Sequence, residues 1–324
     1  MTISYLISCL ATISRLGFFD AFVSLIIYNI FWPIPFYCNM KLYYRDLPSP
    51  QNVFDDFGLT FIYTFAGIFG FIYSILLNCK FDPTKRNVLP SKFSSILSIF
   101  GITLVFCTLP STVLLQPVNK TTPSSRYNIG VLNVFFSEIS GIISCLTFSL
   151  MFGKTKKIKL TSIIVSVFSG PATVAQWAAV ETNIGTCFIV GVFGGLVTAF
   201  WTQVLHPMIN SDKIEDAVSL VGGVLLPSFF GGVVVTPVLY SIYYDTQRVT
   251  LTGALNTRDY VRYQFIFYFI TVTAAIACGL VAGLLSIFSM QLENDFTFKK
   301  MFSPDYGLFN VSLKKVENVE KHSL

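Results

Sequence analysis

The stretch NIGTCFIVGVFGGLVTAFWTQVLHPM, residues 183–208, contains no Asp, Glu, Lys or Arg. A helix needs about 20 apolar residues to cross the hydrocarbon core of a bilayer. This stretch is long enough, and its apolar residues do not fall on one side as in a helix with a solvated face. Working outward, comparable runs recur at roughly 19–39, 57–78, 93–115, 128–152, 160–180, 216–241 and 260–288. A shorter apolar run occupies 2–13. The expected fold class is therefore all-α: a polytopic transmembrane helical bundle of about eight full spans plus one N-terminal stub. The transmembrane domain is expected over 1–290, and residues 291–324, polar and charged, read as a tail.

Composition supports this. Of the 324 residues, 53% are hydrophobic and 12% charged, against about 25% charged in soluble domains. There are 33 Phe, and mean hydropathy is +0.66. A soluble domain and a disordered chain are both excluded. Two histidines, His206 and His322, leave little room for His-based catalysis or metal chemistry, so no enzyme activity and no cofactor are expected. The seven cysteines are scattered without a CxxC spacing or a Cys–His cluster, which argues against a disulfide framework or a zinc site. The net charge is +5, and Lys and Arg are not interleaved with aromatics in a stripe, so no nucleic-acid partner is expected.

Loops carry helix-breaking punctuation at Asp46–Leu47–Pro48–Ser49–Pro50, Asp82–Pro83 and Asn183–Ile184–Gly185. The N-terminus has no cation before its apolar run and no clean small-residue cleavage pattern, so a signal peptide is not favoured. With a cytoplasmic tail, 15 Lys and Arg fall inside and 7 outside. This bias favours an inside tail and an outside N-terminus. It places the sequon Asn119–Lys120–Thr121 outside, as a glycosylation candidate, and Asn310–Val311–Ser312 inside. The expected location is an integral membrane protein, by default of the plasma membrane.

Glycines recur at helix-packing spacing: Gly67 and Gly70, then Gly191, Gly194 and Gly195, then Gly222, Gly223, Gly231 and Gly232. They serve close helix packing, or close packing around a narrow pore. Ionisable residues inside spans are costly. Asp20, Glu181 and Asp216 read as capping or interfacial groups. Asp55 and Asp56 sit at the mouth of a span, where carboxylates favour a helix N-terminus. Glu138 lies well inside 128–152; it needs a polar partner on a neighbouring helix, or else an interface or a cavity. Pro110, Pro171 and Pro227 fall inside spans, where each removes one backbone hydrogen bond and bends the helix. Spacing alone stops at a pore or carrier.

Two stretches resemble the Rh branch of the ammonium transporter family. DDFGLTFIYTFAGIFG (55–70) is similar to the family's helix with Asp, Gly and then Thr–Ile–His–Thr–Phe–Gly. IEDAVSLVGGVLLPSFFGGV (214–233) is similar to its segment with Asp, Asn–Asn–Leu–His–Ala–Ile–Pro–Gly and a Gly–Gly pair. Asn128 matches the family's Asn–Thr helix start. Residues 162–195 match the following helix pair, and Tyr263–Gln264–Phe265 with GLVAGLL (279–285) match the last helix. The resemblance implies a trimeric channel passing ammonia through an apolar pore in each subunit, with a histidine pair along it, a supporting Asp and two Phe at the outer entry.

Carried over residue by residue, the first pore His falls on Tyr63 and the second on Val224. The Asp falls on Asp55, or on Asp56 with one deletion. One gate Phe falls on Thr112, and the other would precede Met1. Neither replacement can pass a proton between ring nitrogens at neutral pH. Erythroid Rh polypeptides also lack the pair, with Tyr at the first position. The stub resembles the end of the family's third helix and the full spans its helices four to eleven, so the resemblance implies a chain short at the front. Two readings stay open: a channel-type subunit for ammonia, ammonium or another small neutral gas, degenerate at the histidines, and a non-conducting scaffold subunit of a homo- or hetero-trimer.

The topology makes a direct prediction. In a glycosylating host, enzymatic deglycosylation should shift the mass of the wild-type chain and leave an Asn119→Gln variant unshifted. A shift that depends on Asn310 instead would invert the orientation.

Overall fold

The computed structural model describes residues 2–10, 12, 18–38, 61–78, 92–115, 124–153, 158–176, 178, 183–209, 220–235, 237–238 and 257–295. Among these every regular element is helical. We number nine helical segments in chain order. The stub, α1, is Thr2–Cys9. Helix α2 is Phe18–Phe31, and its direction continues through 33–38. Helix α3 joins a π-helical turn, Phe61–Phe65, to Ala66–Asn78. Helix α4 is Lys92–Thr108, followed by a 3₁₀ turn at Pro110–Leu115. Helix α5 is Ser124–Phe152 and α6 is Leu160–Val174. Helix α7 runs Ile184–Phe200, through a π turn at Trp201–Leu205, into His206–Ile209. Helix α8 alternates a π turn Val221–Leu225, the α-helical Leu226–Phe230 and a second π turn Gly231–Val235. Helix α9 is Thr257–Asp295.

The apolar helical stretches correspond one to one with the eight expected spans. Four are long and apolar enough to cross a membrane: Asp20–Cys38, Asn128–Phe152, Ile184–Leu205 and Phe265–Phe288. Four more are shorter within the described residues: Ile62–Leu77, Ser95–Thr108, Leu160–Val174 and Val221–Val235. The stub at 2–13 is the short helix α1. Helix α9 extends to Asp295, past the expected domain boundary at 290; the rest of the tail lies outside the described residues.

The punctuation residues act locally as their chemistry dictates. Asn183 caps α7, its Oδ1 accepting from the Gly185 N–H at 3.0 Å. Asp20 sits in the first turn of α2, where a carboxylate favours the helix dipole. Pro110 opens the 3₁₀ turn that ends α4. Pro171 lies inside α6, which stops soon after, at Val174. Pro227 stands at the start of the short α-helical part of α8, just after a π turn.

Small residues let three helices meet backbone to backbone. A Cβ at Gly141 of α5 would lie 2.7 Å from the Gly170 nitrogen of α6. One at Gly170 would run into the Ser137 carbonyl and stand 3.0 Å from the Glu138 nitrogen. On α7, a Cβ at Gly194 would lie 2.7 Å from the Ser169 carbonyl, and one at Gly195 would lie 2.8 Å from the Cys145 nitrogen. Ser144 then bonds the Val192 carbonyl at 2.6 Å across the same seam. This is the packing expected where lipid tails give no hydrophobic drive and van der Waals contact decides. The α5–α6–α7 glycines therefore serve packing. Large apolar side chains such as Phe22, Phe100, Leu104, Phe193 and Leu284 point outward, as a lipid-facing surface requires.

A second packing unit joins α1, α2, α3 and α9 around aromatic rings. Tyr28 is fully buried and meets Phe65 edge-on at 5.1 Å and Phe69 at 4.9 Å between centroids. Edge-to-face contact matches ring edges to π faces. Its hydroxyl bonds Ser4 of the stub, and Ser4 donates to the Ile62 carbonyl at 3.1 Å. Tyr73 reaches Ser286 of α9 at 2.9 Å. The stub is thus tied into the bundle by polar contacts as well as by Ile7.

The glycine seam predicts an asymmetric pair of variants. Gly170→Ala forces a methyl into the Ser137 carbonyl and should destabilise the detergent-solubilised protein by about 1–3 kcal/mol. Gly101→Ala meets nothing within 4 Å and should be neutral or up to about 1 kcal/mol stabilising. Thermal unfolding of both variants checks this; equal behaviour would refute the seam.

Candidate pore site

Helices α3 and α8 both depart from regular α-helical pairing, and they do so at matching places. Tyr63 lies in the π turn Phe61–Phe65, and Val224 lies in the π turn Val221–Leu225. A π turn bonds each N–H one residue further back than an α-helix does. In α8 the Leu226 N–H reaches the Val221 carbonyl in this way. The widened register precedes Pro227, whose ring has no N–H to offer.

The two turns touch. Their approach is close because Gly67 has no side chain: a Cβ there would lie 3.0 Å from Leu225 Cβ and 3.1 Å from its Cα. A hydroxyl pair bridges the crossing, Thr64 Oγ1 to Ser228 Oγ, both fully or nearly fully buried. Tyr268 of α9 closes the same region, its ring against Gly232, where a Cβ would lie 2.8 Å from Tyr268 Cε2.

Tyr63 and Val224 are each 1% exposed and belong to one buried cluster. Around them pack Ile7 of the stub, Ile102 and Leu109 from α4 and its end, Val134 of α5, and Val167 and Phe168 of α6. Thr112 is nearly buried in the 3₁₀ turn, and its hydroxyl donates to the Leu109 carbonyl at 2.6 Å. It lines a cleft of about 430 Å³ together with Ile7, Ile102, Leu109 and Phe168, four residues of the cluster that holds Tyr63. The structure therefore brings Tyr63 and Val224 into one cluster and sets Thr112 on a cleft beside it.

Asp55, Asp56 and Asn119 lie outside the described residues, as do Glu181, Asp216 and His322. Asn128 is exposed near the start of α5, which begins one turn earlier, at Ser124. His206 follows the π turn of α7 and opens the short helical end of that segment. Among the described residues no group of three or more His, Cys, Asp or Glu comes together.

Sequence reasoning missed the π turns and the Thr64–Ser228 bridge. It flagged Glu138 and left its surroundings open. Glu138 is completely buried in α5, and among the described residues neither carboxyl oxygen has a hydrogen-bond partner. It sits one turn beyond Val134 and one turn before Ile142, both packed in or against the Tyr63 cluster. A polar partner on a neighbouring helix is not what the structure provides.

The hydroxyl bridge predicts a measurable coupling. Thr64→Val and Ser228→Ala each leave a buried hydroxyl unmatched and should each destabilise by about 1–3 kcal/mol. The double variant should lose less than the sum of the two, and unfolding of all four forms gives the coupling. Strict additivity would show that the two groups do not interact.

No family model matches the chain, and no curated protein does either. Solved structures do. Rh50 of Nitrosomonas europaea, described with the mechanism of conduction by the Rhesus family of channels, superposes with a TM-score of 0.72 at 16% identity; the match covers 99% of this chain and 76% of that one. An Amt sensor protein gives 0.58 at 17% identity, over 90% of this chain and 69% of that one. Mep2 of Saccharomyces cerevisiae gives 0.56 at 16% identity, over 88% of this chain and 61% of that one. This chain is therefore an integral membrane protein with the helical fold shared by the Rh and Amt proteins of known structure.

Proposed function

We propose that the chain is a channel-type transport subunit that passes ammonia, or another small neutral gas, through the helix bundle along the Tyr63–Val224 region. The observation that carries this reading is the crossing of two helices, α3 and α8, each at a π turn, at the residues where the resemblance puts a pore. Supporting it is the likeness of the fold to Rh50, a member of a conducting channel family. Single π turns within α-helices are frequent at functional sites.

The chemistry of the site favours a neutral molecule over an ion. An apolar passage strips water from whatever enters, and an ion loses far more than a neutral molecule does. With Tyr63 and Val224 in place of a histidine pair, no imidazole relay is available to carry a proton alongside. Tyr63, Val224 and Thr112 would line the path, with Asp55 or Asp56 supporting its mouth. Asn119 would carry a glycan on the outer side, the tail from 291 onward would face the cytoplasm, and the plasma membrane is the proposed location. Three copies would assemble as a homo- or hetero-trimer.

The loss of both histidines favours a second reading, a non-conducting scaffold subunit that joins such a trimer. One experiment separates them. In proteoliposomes given an ammonium pulse, the channel reading expects internal alkalinisation faster than in empty vesicles, with no ammonium-dependent current. Alkalinisation no faster than in empty vesicles would leave the scaffold reading.

A further inference from the structure

Buried polar side chains in native proteins are almost always matched by a partner. Glu138 is completely buried in the middle of a spanning helix, and among the described residues both of its carboxyl oxygens are unmatched. It does not lie in a glycine seam by accident of packing: the stripe Val131, Val134, Glu138 and Ile142 on α5 runs along the cluster that contains Tyr63 and Val224. Tyr63 of that cluster lies in a π turn. Such turns gather at functional sites, and an ionisable residue within a span is costly enough to need a reason. The group that matches Glu138 must be small, because the surroundings are closely packed. A group with hydrogen-bond donors would match the accepting oxygens of the carboxyl.

We propose that the Glu138 carboxyl, on the face of α5 that borders the Tyr63 cluster, is a binding site within the permeation path for a small neutral molecule that carries N–H donors, ammonia or methylamine. This rests on the channel reading above and supplies the polar contact that the Tyr63 and Val224 positions do not. The molecule donates its N–H groups to the two carboxyl oxygens of Glu138. Nothing covalent is formed.

The test uses the full-length protein in lipid and two readouts. The first is infrared difference spectroscopy of the carboxyl stretching region during perfusion with ammonium chloride or methylammonium chloride. Tetramethylammonium chloride, which has no N–H, is the control. The second is the alkalinisation rate of proteoliposomes. We expect ammonium and methylammonium, but not tetramethylammonium, to shift a carboxyl band that is missing in Glu138→Gln. We expect Glu138→Leu to alkalinise about tenfold more slowly than wild type, the loss of about one well-placed hydrogen bond. Glu138→Gln, which keeps the shape and one accepting oxygen, should fall between them and guards against misfolding of the leucine variant.

The two readings can fail separately. A band shift in a wild-type protein that conducts no faster than empty vesicles keeps the site and removes the channel. Conduction by wild type with no Glu138 band shift removes the site and keeps the channel. The same band response to tetramethylammonium, or a shift with Glu138→Leu conducting as fast as wild type, would also overturn the proposal: the group would then hold only water, or bind off the path.

Discussion

Inside a bilayer the main chain has no water to bond to, so every N–H and C=O must be matched within the protein. The rest of this structure depends on how α3 and α8 meet that constraint where they cross. Each relaxes into a π turn at the crossing, and in α8 the Leu226 N–H finds the Val221 carbonyl one residue further back. The relaxation is possible because the two helices press against each other at Gly67 and Leu225. It is also why Tyr63 and Val224, far apart in sequence, share one buried cluster. Helices α1, α4, α5 and α6 contribute the other walls of that cluster, and α9 backs the crossing through Tyr268 and the aromatic unit at Tyr28.

Hydroxyl side chains complete the matching at small scale. Thr64 pairs with Ser228 across the crossing, and Ser4, Tyr5 and Tyr73 tie the stub, α2 and α9 to their neighbours. Many other Ser and Thr hydroxyls bond a carbonyl three or four residues back in their own helix, as Ser169 does at 2.7 Å and Thr271 at 3.0 Å. Such hydroxyls are matched within their own helix, at most with a slight bend or small destabilisation. Against that background Glu138 differs in kind: among the described residues it is a carboxyl with both oxygens buried and unmatched.

The spans were legible because bilayer thickness sets a length, and apolar content summed over that length is robust to local detail. The run at 183–208 became α7 with its Asn183 cap, and the glycines of 191–195 became a packing seam. The pairing of Tyr63 with Val224 was legible through the resemblance alone, since no periodicity links residues so distant. The π turns were not legible. Whether a helix tightens or widens by one residue is decided by what presses on it, and at Gly67 that is a helix from the other end of the chain. The Thr64–Ser228 bridge, 164 residues apart, is tertiary for the same reason. Glu138 was legible as an anomaly, but its lack of a partner needed the packing of α5 to be seen.

The α3–α8 crossing is the central claim, and cross-linking tests it most directly. With the native cysteines replaced, Gly67→Cys and Leu225→Cys place two Cβ atoms within a few tenths of an ångström of disulfide reach, about 3.5–4.5 Å. After mild oxidation in membranes and proteolysis between the two helices, the fragments should stay joined until reduced. Fragments that separate without reductant, in a protein that folds and inserts normally, would contradict the crossing and with it the site built on it.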